Sequence, residues 1–133
     1  MWIQNVSLAD IVRGYHYDAG QNSMLIQIVD PDMEFPEPAC KFAETHQFKF
    51  LDIEEQDHPS AITDHQARQI AQLLQQAVDK RMNVVVHCVA GICRSGAVCE
   101  VGVILGLQDT EGYRNPNLLV KHKLLRALGL ART

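Results

Sequence analysis

Cys88 and Arg94 are the residues whose types and spacing best suit chemistry in this chain. They stand in the stretch His87-Cys88-Val89-Ala90-Gly91-Ile92-Cys93-Arg94-Ser95, with a glycine between them. The apolar run Asn83-Val84-Val85-Val86 leads in, and a helical pattern leads out. A strand, a tight loop and a helix N-terminus together gather backbone N–H groups around an anion. A thiol in that loop feels the same field. Free cysteine titrates near 8.5, and helix N-termini or neighbouring cations bring that to roughly 3.5–7.5. A sulfur nucleophile in an anion cradle is the chemistry implied. The amides of Val89, Ala90, Gly91, Ile92, Cys93 and Arg94 can turn inward onto three phosphate oxygens. Gly91 allows the required dihedrals and close approach. The planar fork of Arg94 can grip two oxygens and follow their charge into the transition state. Ser95 can donate a hydrogen bond to the sulfur when it must leave. His87 can order the loop from behind.

The elements that would position this loop alternate between strand and helix, which predicts an α/β fold with a mostly parallel central sheet flanked by helices. Residues 7–12 suit a short helix capped by Ser7 and Asp10. Residues 24–29 suit a buried strand ending at Asp30-Pro31, and the three prolines up to Pro38 suit a loop. A brief helix is expected over 39–46 and a second strand over 48–53. The clearest helix runs from Thr63 to about Lys80. Thr63 and Gln66 form a capping box there, and Ala67, Ile70, Ala71, Leu74, Ala77 and Val78 form one apolar face. Lys80 and Arg81 close it with the charge its dipole favours. A further helix should start near Ser95 and bury Ala97, Val98, Val101, Ile104 and Leu105, with Gly102 and Gly106 permitting close packing. The last helix is expected from Asn115-Pro116, with proline at its first position and Gly129 beyond its end. With 133 residues and no linker or repeat, residues 1–133 read as a single domain.

Composition narrows the classes. A net charge of −4 leaves no basic surplus for nucleic acid. No apolar run suits a membrane span, and the N-terminus lacks the features of a signal peptide, so a cytoplasmic location is expected. Four cysteines, at 40, 88, 93 and 99, do not read as a secreted disulfide framework. Zinc spacing fails too, because no second Cys/His pair follows Cys88 and Cys93. No metal or other cofactor is expected. Cys40 and Cys99 read as buried apolar residues. The histidines other than His87 read as surface or capping residues.

The loop resembles the His-Cys-x-x-Gly-x-x-Arg-Ser/Thr motif of the cysteine-dependent protein tyrosine phosphatase superfamily. All five fixed positions match, as His87, Cys88, Gly91, Arg94 and Ser95. Leu51-Asp52-Ile53-Glu54-Glu55-Gln56-Asp57 resembles the acid loop of the dual-specificity branch. The resemblance implies that Asp57 is the general acid, with Asp52 the alternative. Asn115-Pro116-Asn117 resembles the segment opening the last helix of those enzymes, which implies that Asn117 places the water or the loop, or simply starts the helix. The resemblance covers residues 48–128; residues 1–47 carry no recognisable motif.

Cys93 departs from the dual-specificity pattern. Cys88-x-x-x-x-Cys93-Arg94-Ser95 resembles the loop of the low-molecular-weight tyrosine phosphatases, where a second cysteine can close a disulfide onto the nucleophile. The order of elements excludes membership of that family, yet Cys93 remains a candidate redox partner, or else a small residue packed under the loop. The loop variables carry no charge, which argues against inositol phosphates and RNA triphosphates. The expected partner is a phosphorylated protein, phosphotyrosine preferred, with no nucleic acid and no membrane. A sulfurtransferase or arsenate-reductase-like enzyme, or a non-catalytic phospho-binding module, are the competing readings.

Overall fold

The computed structural model describes residues 1–131. Five strands form one all-parallel sheet: β1 (Trp2–Val6), β2 (Ser23–Val29), β3 (Glu44–Lys49), β4 (Asn83–His87) and β5 (Gln108–Asp109). Their spatial order is β3-β2-β4-β1-β5. Four helices complete the fold: α1 (Leu8–Arg13), α2 (Asp64–Asp79), α3 (Arg94–Leu105) and α4 (Leu118–Ala127). This is the α/β class expected from the alternation.

The central strands are short apolar runs because both of their faces are covered. Every residue of β2 is buried, and so are Val84, Val85 and Val86 of β4. One face packs on α2, α3 and α4 through residues such as Ile26, Ile70, Leu74, Val101 and Leu124. The other face is smaller and holds Val6, Ile11, Leu25 and Val85. The α2 helix begins as expected: Thr63 Oγ1 accepts from the Gln66 amide and Gln66 Oε1 accepts from the Thr63 amide, both at 3.0 Å. Ser7 and Asp10 make the equivalent box at α1.

Several expectations shift. Residues 39–46 hold no helix, and the strand expected over 48–53 is β3, four residues earlier. Its outer residues Thr45 and Gln47 are polar because β3 is an edge strand, which hides its alternation. Beyond Lys49 the chain leaves the sheet and becomes a loop. Strands β1 and β5 were not anticipated; β1 mixes Gln4 and Asn5 into an apolar run, and β5 has two residues. Ile104 is exposed, on the outward face of α3, while Val103 and Leu105 beside it pack against the core. Pro116 precedes the N-cap of α4, which is Asn117. Lys80 is the C-cap of α2 and Arg81 follows in the left-handed region, so neither occupies its last turn. Cys40 is exposed, on the loop before β3, whereas Cys99 is buried.

Gly102 seats α3 on β1. A Cβ there would lie 2.7 Å from Cδ1 of Ile3 and 3.2 Å from Cδ1 of Leu107. Gly102→Ala should therefore destabilise the fold by about 1–3 kcal/mol, the usual cost of overpacking. Urea denaturation measures it; an unchanged midpoint would show that this contact relaxes freely.

Candidate active site

A parallel sheet delivers all its strand C-termini to one edge, the usual place for a ligand. Here that edge carries Ser7 after β1, Asp30 after β2, Phe50 after β3, Cys88 after β4 and the 110–117 segment after β5. Cys88 is 2% exposed, at the floor of the loop between β4 and α3. Its Sγ lies 3.2 Å from Ser95 Oγ and accepts the Gly91 amide at 3.3 Å. His87 is buried behind it and its Nδ1 meets the Cys88 carbonyl at 3.1 Å, which fits a proton on that nitrogen.

The loop's carbonyls are tied outward. The Leu8 amide donates to the Val89 carbonyl at 3.1 Å, and Asn5 Nδ2 donates to the Gly91 carbonyl at 2.8 Å. The Asn115 amide takes the Ile92 carbonyl at 3.2 Å; the Ala97 and Asn117 amides share the Cys93 carbonyl, each at 2.9 Å. In a trans peptide the N–H points opposite to the C=O. The amides of Val89, Ala90, Ile92 and Cys93 make no bond to the protein among the described residues, and outward carbonyls turn the following amides inward. The loop thus offers N–H groups to an anion. Gly91 makes this shape possible twice over: its φ is +75°, and a Cβ would stand 2.4 Å from the Ser7 nitrogen and the Val6 carbonyl carbon.

Arg94 is the first residue of α3 and is 4% exposed. Among the described residues only Nη1 is engaged: it donates to Asp30 Oδ1 and to the Phe50 carbonyl, both at 2.7 Å. Nε is buried and has no partner. The guanidinium is thus held along one edge and keeps donors for an oxyanion.

Beside the loop a cleft of about 440 Å³ is lined by Asp52, Glu54, Cys93, Asn115, Pro116, Asn117 and Leu118. Cys88 itself lies below, outside that lining. Asn117 caps α4 by accepting the Val120 amide at 3.0 Å. Its Nδ2 donates to Asp52 Oδ1 at 2.8 Å and to the Ile53 carbonyl at 3.0 Å. Those two bonds use both of its hydrogens and tether the 52–57 loop. Burial and the neighbouring Asp52 carboxylate push the Cys93 thiol up. Asp57 lies on an exposed turn farther along and makes no side-chain hydrogen bond among the described residues.

The structure therefore gathers Cys88, Cys93, Arg94, Ser95, His87 and Asn117, with Asp52 on the cleft wall and Asp57 out on its loop. Sequence reasoning missed Asp30 and Asn5. Asp30 was read only as the residue that stops a strand. Asn5 sits in the unanticipated β1; a buried asparagine at a strand's C-terminal end was its one available signal. Burial pushes the Cys99 thiol up to about 12, which leaves it inert.

The model of the protein-tyrosine phosphatase family matches residues 21–127. The chain belongs to the protein-tyrosine phosphatase family. It is thereby an enzyme of the protein-tyrosine phosphatase class. Among solved structures it is similar to OH1 from the Orf virus, described as a tyrosine phosphatase with distinct structural features and triple substrate specificity. The two are 15% identical, the match covers 94% of this chain and 81% of that one, and the TM-score is 0.52. That likeness concerns the fold. No curated protein sequence matches.

Two tests follow from the geometry of this phosphatase. Asn5→Ala leaves the Gly91 carbonyl without its side-chain donor, so it should cost about 1–3 kcal/mol of stability. The same change should lower kcat for a small aryl phosphate about tenfold through loss of loop geometry. Urea titration and steady-state kinetics measure the pair; unchanged kcat would free the loop from Asn5. Separately, burial holds the His87 imidazole below the ordinary histidine range; the Cys88 carbonyl acts the other way and Arg94 adds to the lowering. The unfolded chain takes up that proton near 6.5 while the folded one does not, so stability should decline as pH falls below roughly 6.5. His87→Asn removes this component. Urea midpoints from pH 7.5 to 5 should be flatter for the variant, and parallel curves would refute the assignment.

Proposed function

We propose that this phosphatase hydrolyses phosphotyrosine in proteins, and phosphoserine or phosphothreonine as well, through a phosphocysteine intermediate. The outward tethering of the loop carbonyls around Cys88, with Arg94 at the rim, carries this reading. Cys88 Sγ attacks phosphorus in line as the bond to the leaving oxygen breaks. Asp57 protonates that oxygen. Water then attacks the phosphocysteine, its proton goes to the Asp57 carboxylate, and the S–P bond breaks with Ser95 Oγ–H bonding to the departing sulfur. Inward amides and Arg94 hold the equatorial oxygens throughout.

Asp57 is kept as the acid because its side chain is exposed and makes no hydrogen bond among the described residues. Asp52 lines the cleft but is tied to Asn117. Cys93 lines the same cleft as Asp52 and is the candidate redox partner of Cys88. Family membership favours this reading over a sulfurtransferase or arsenate reductase, and the intact Cys88, Arg94 and Ser95 favour it over a silent binding module. The same reading places the enzyme in the cytoplasm, since a thiol nucleophile needs a reducing compartment. No helix of the described residues is long and apolar enough to cross a membrane.

Phosphopeptide turnover tests the scheme. Cys88→Ser should abolish it, and Asp57→Asn should lower kcat about a hundredfold or more. Asp52→Asn should cost much less; the reverse ranking would move the acid to Asp52. Vanadate should inhibit and EDTA should not. A serine variant as fast as wild type would end the phosphocysteine mechanism.

A further inference from the structure

Charge is unevenly distributed around the phosphate cup. The two loops that contact Arg94 and the cleft are residues 30–38 and 52–57. Each holds four carboxylates and neither holds a lysine or arginine. Half of the chain's sixteen Asp and Glu residues thus lie on these two loops. The remainder of the chain carries eight carboxylates against twelve Lys and Arg, an excess of positive charge. Asp32, Glu34, Glu37 and Glu55 are exposed and make no side-chain hydrogen bond or ion pair among the described residues. The 30–38 loop folds back over the sheet edge, with the Pro36 carbonyl accepting from Gln27 Nε2 at 3.0 Å. Lys49 lies over the Phe35 ring at 5.3 Å and keeps its charge, while Arg114 is paired with Asp109 and Glu100.

The cup and its rim therefore make opposite demands. Arg94 Nε, buried and unpartnered, and the free loop amides call for a phosphate. The surrounding carboxylates repel any further negative charge and attract positive charge within a Debye length of about 8 Å. Resting on the phosphatase reading above, we infer that the preferred substrate is a phosphopeptide segment with lysine or arginine flanking the phosphorylated residue. The phosphate supplies the anion that the cup takes, and the flanks meet the rim. Inositol polyphosphates and acidic phosphopeptides are selected against by the same field.

Three phosphotyrosyl peptides, alike except for Arg/Lys, Ala or Glu flanks, test this, with nitrophenyl phosphate and an inositol polyphosphate beside them. Wild type should favour the basic over the acidic peptide about tenfold in kcat/KM, a gap that narrows at high salt. The variant D32N/E34Q/E37Q/E55Q removes rim charge and leaves the catalytic groups in place. It should lose most of the peptide preference while turning over nitrophenyl phosphate as wild type does. Equal use of all peptides, preference for acidic flanks or the inositol compound, or a preference surviving in the variant would overturn the inference. If wild type hydrolysed none of the substrates, the phosphatase reading itself would fall, and this inference with it.

Discussion

The site depends on where the carbonyls of one short loop point. A loop of six peptides between a strand and a helix could present oxygens or nitrogens to its interior. Here Leu8, Asn5, Asn115, Asn117 and Ala97 claim the oxygens from outside. The donors come from β1 and α1, from the segment after β5 and from α3. They are satisfied by bonds that water would otherwise supply, so each contributes modest stability. Their larger effect is geometric, since five outward bonds define one inward arrangement of amides. Electrostatic preorganisation of this kind acts before any substrate arrives.

Arg94 shows the same logic applied to a charge. A guanidinium this buried needs compensation, because desolvation of a cation is expensive. Asp30 and the Phe50 carbonyl supply it along one edge only. Both partners lie just beyond strand ends, those of β2 and β3, which are the strands on one side of β4. The sheet order thus explains why these two reach Arg94. Asn5, on the other side of β4, supports the loop from the opposite flank. The nucleophile's loop is held between them, and the glycine at its centre packs against the β1–α1 junction too closely for any side chain.

The 52–57 loop is anchored differently. Asn117 caps α4 with its oxygen and ties Asp52 and Ile53 with its nitrogen, so one side chain joins a helix start to the cleft wall. Glu54 adds a second tie by accepting the Leu118 amide at 2.7 Å. Residues 55–59 beyond it are exposed and form a turn of their own, with the His58 amide donating to the Glu55 carbonyl at 3.0 Å and the Leu51 amide closing its base on the Ser60 carbonyl at 2.8 Å. Tethered wall and exposed turn are thereby divided within six residues.

Much of this was legible from local pattern. The His87–Ser95 stretch declared both its chemistry and its strand–loop–helix setting, because glycine, thiol and guanidinium are needed at short, rigid spacings. The α1 and α2 boundaries followed from capping boxes, which are local by nature. The register of β3 was lost because an edge strand shows polar residues on its outer side, and β1 and β5 were lost because their pairing, not their composition, makes them strands. Asp30 and Asn5 were invisible for a related reason: each acts across more than sixty residues of sequence, on Arg94 and Gly91 respectively. Sequence alone thus determined the candidate reactive groups and the class of fold, since those depend on residue type and short-range period. Only the tertiary structure decided which distant side chains orient the loop, because parallel pairing in the order β3-β2-β4-β1-β5 brings chain segments together that no local interaction connects.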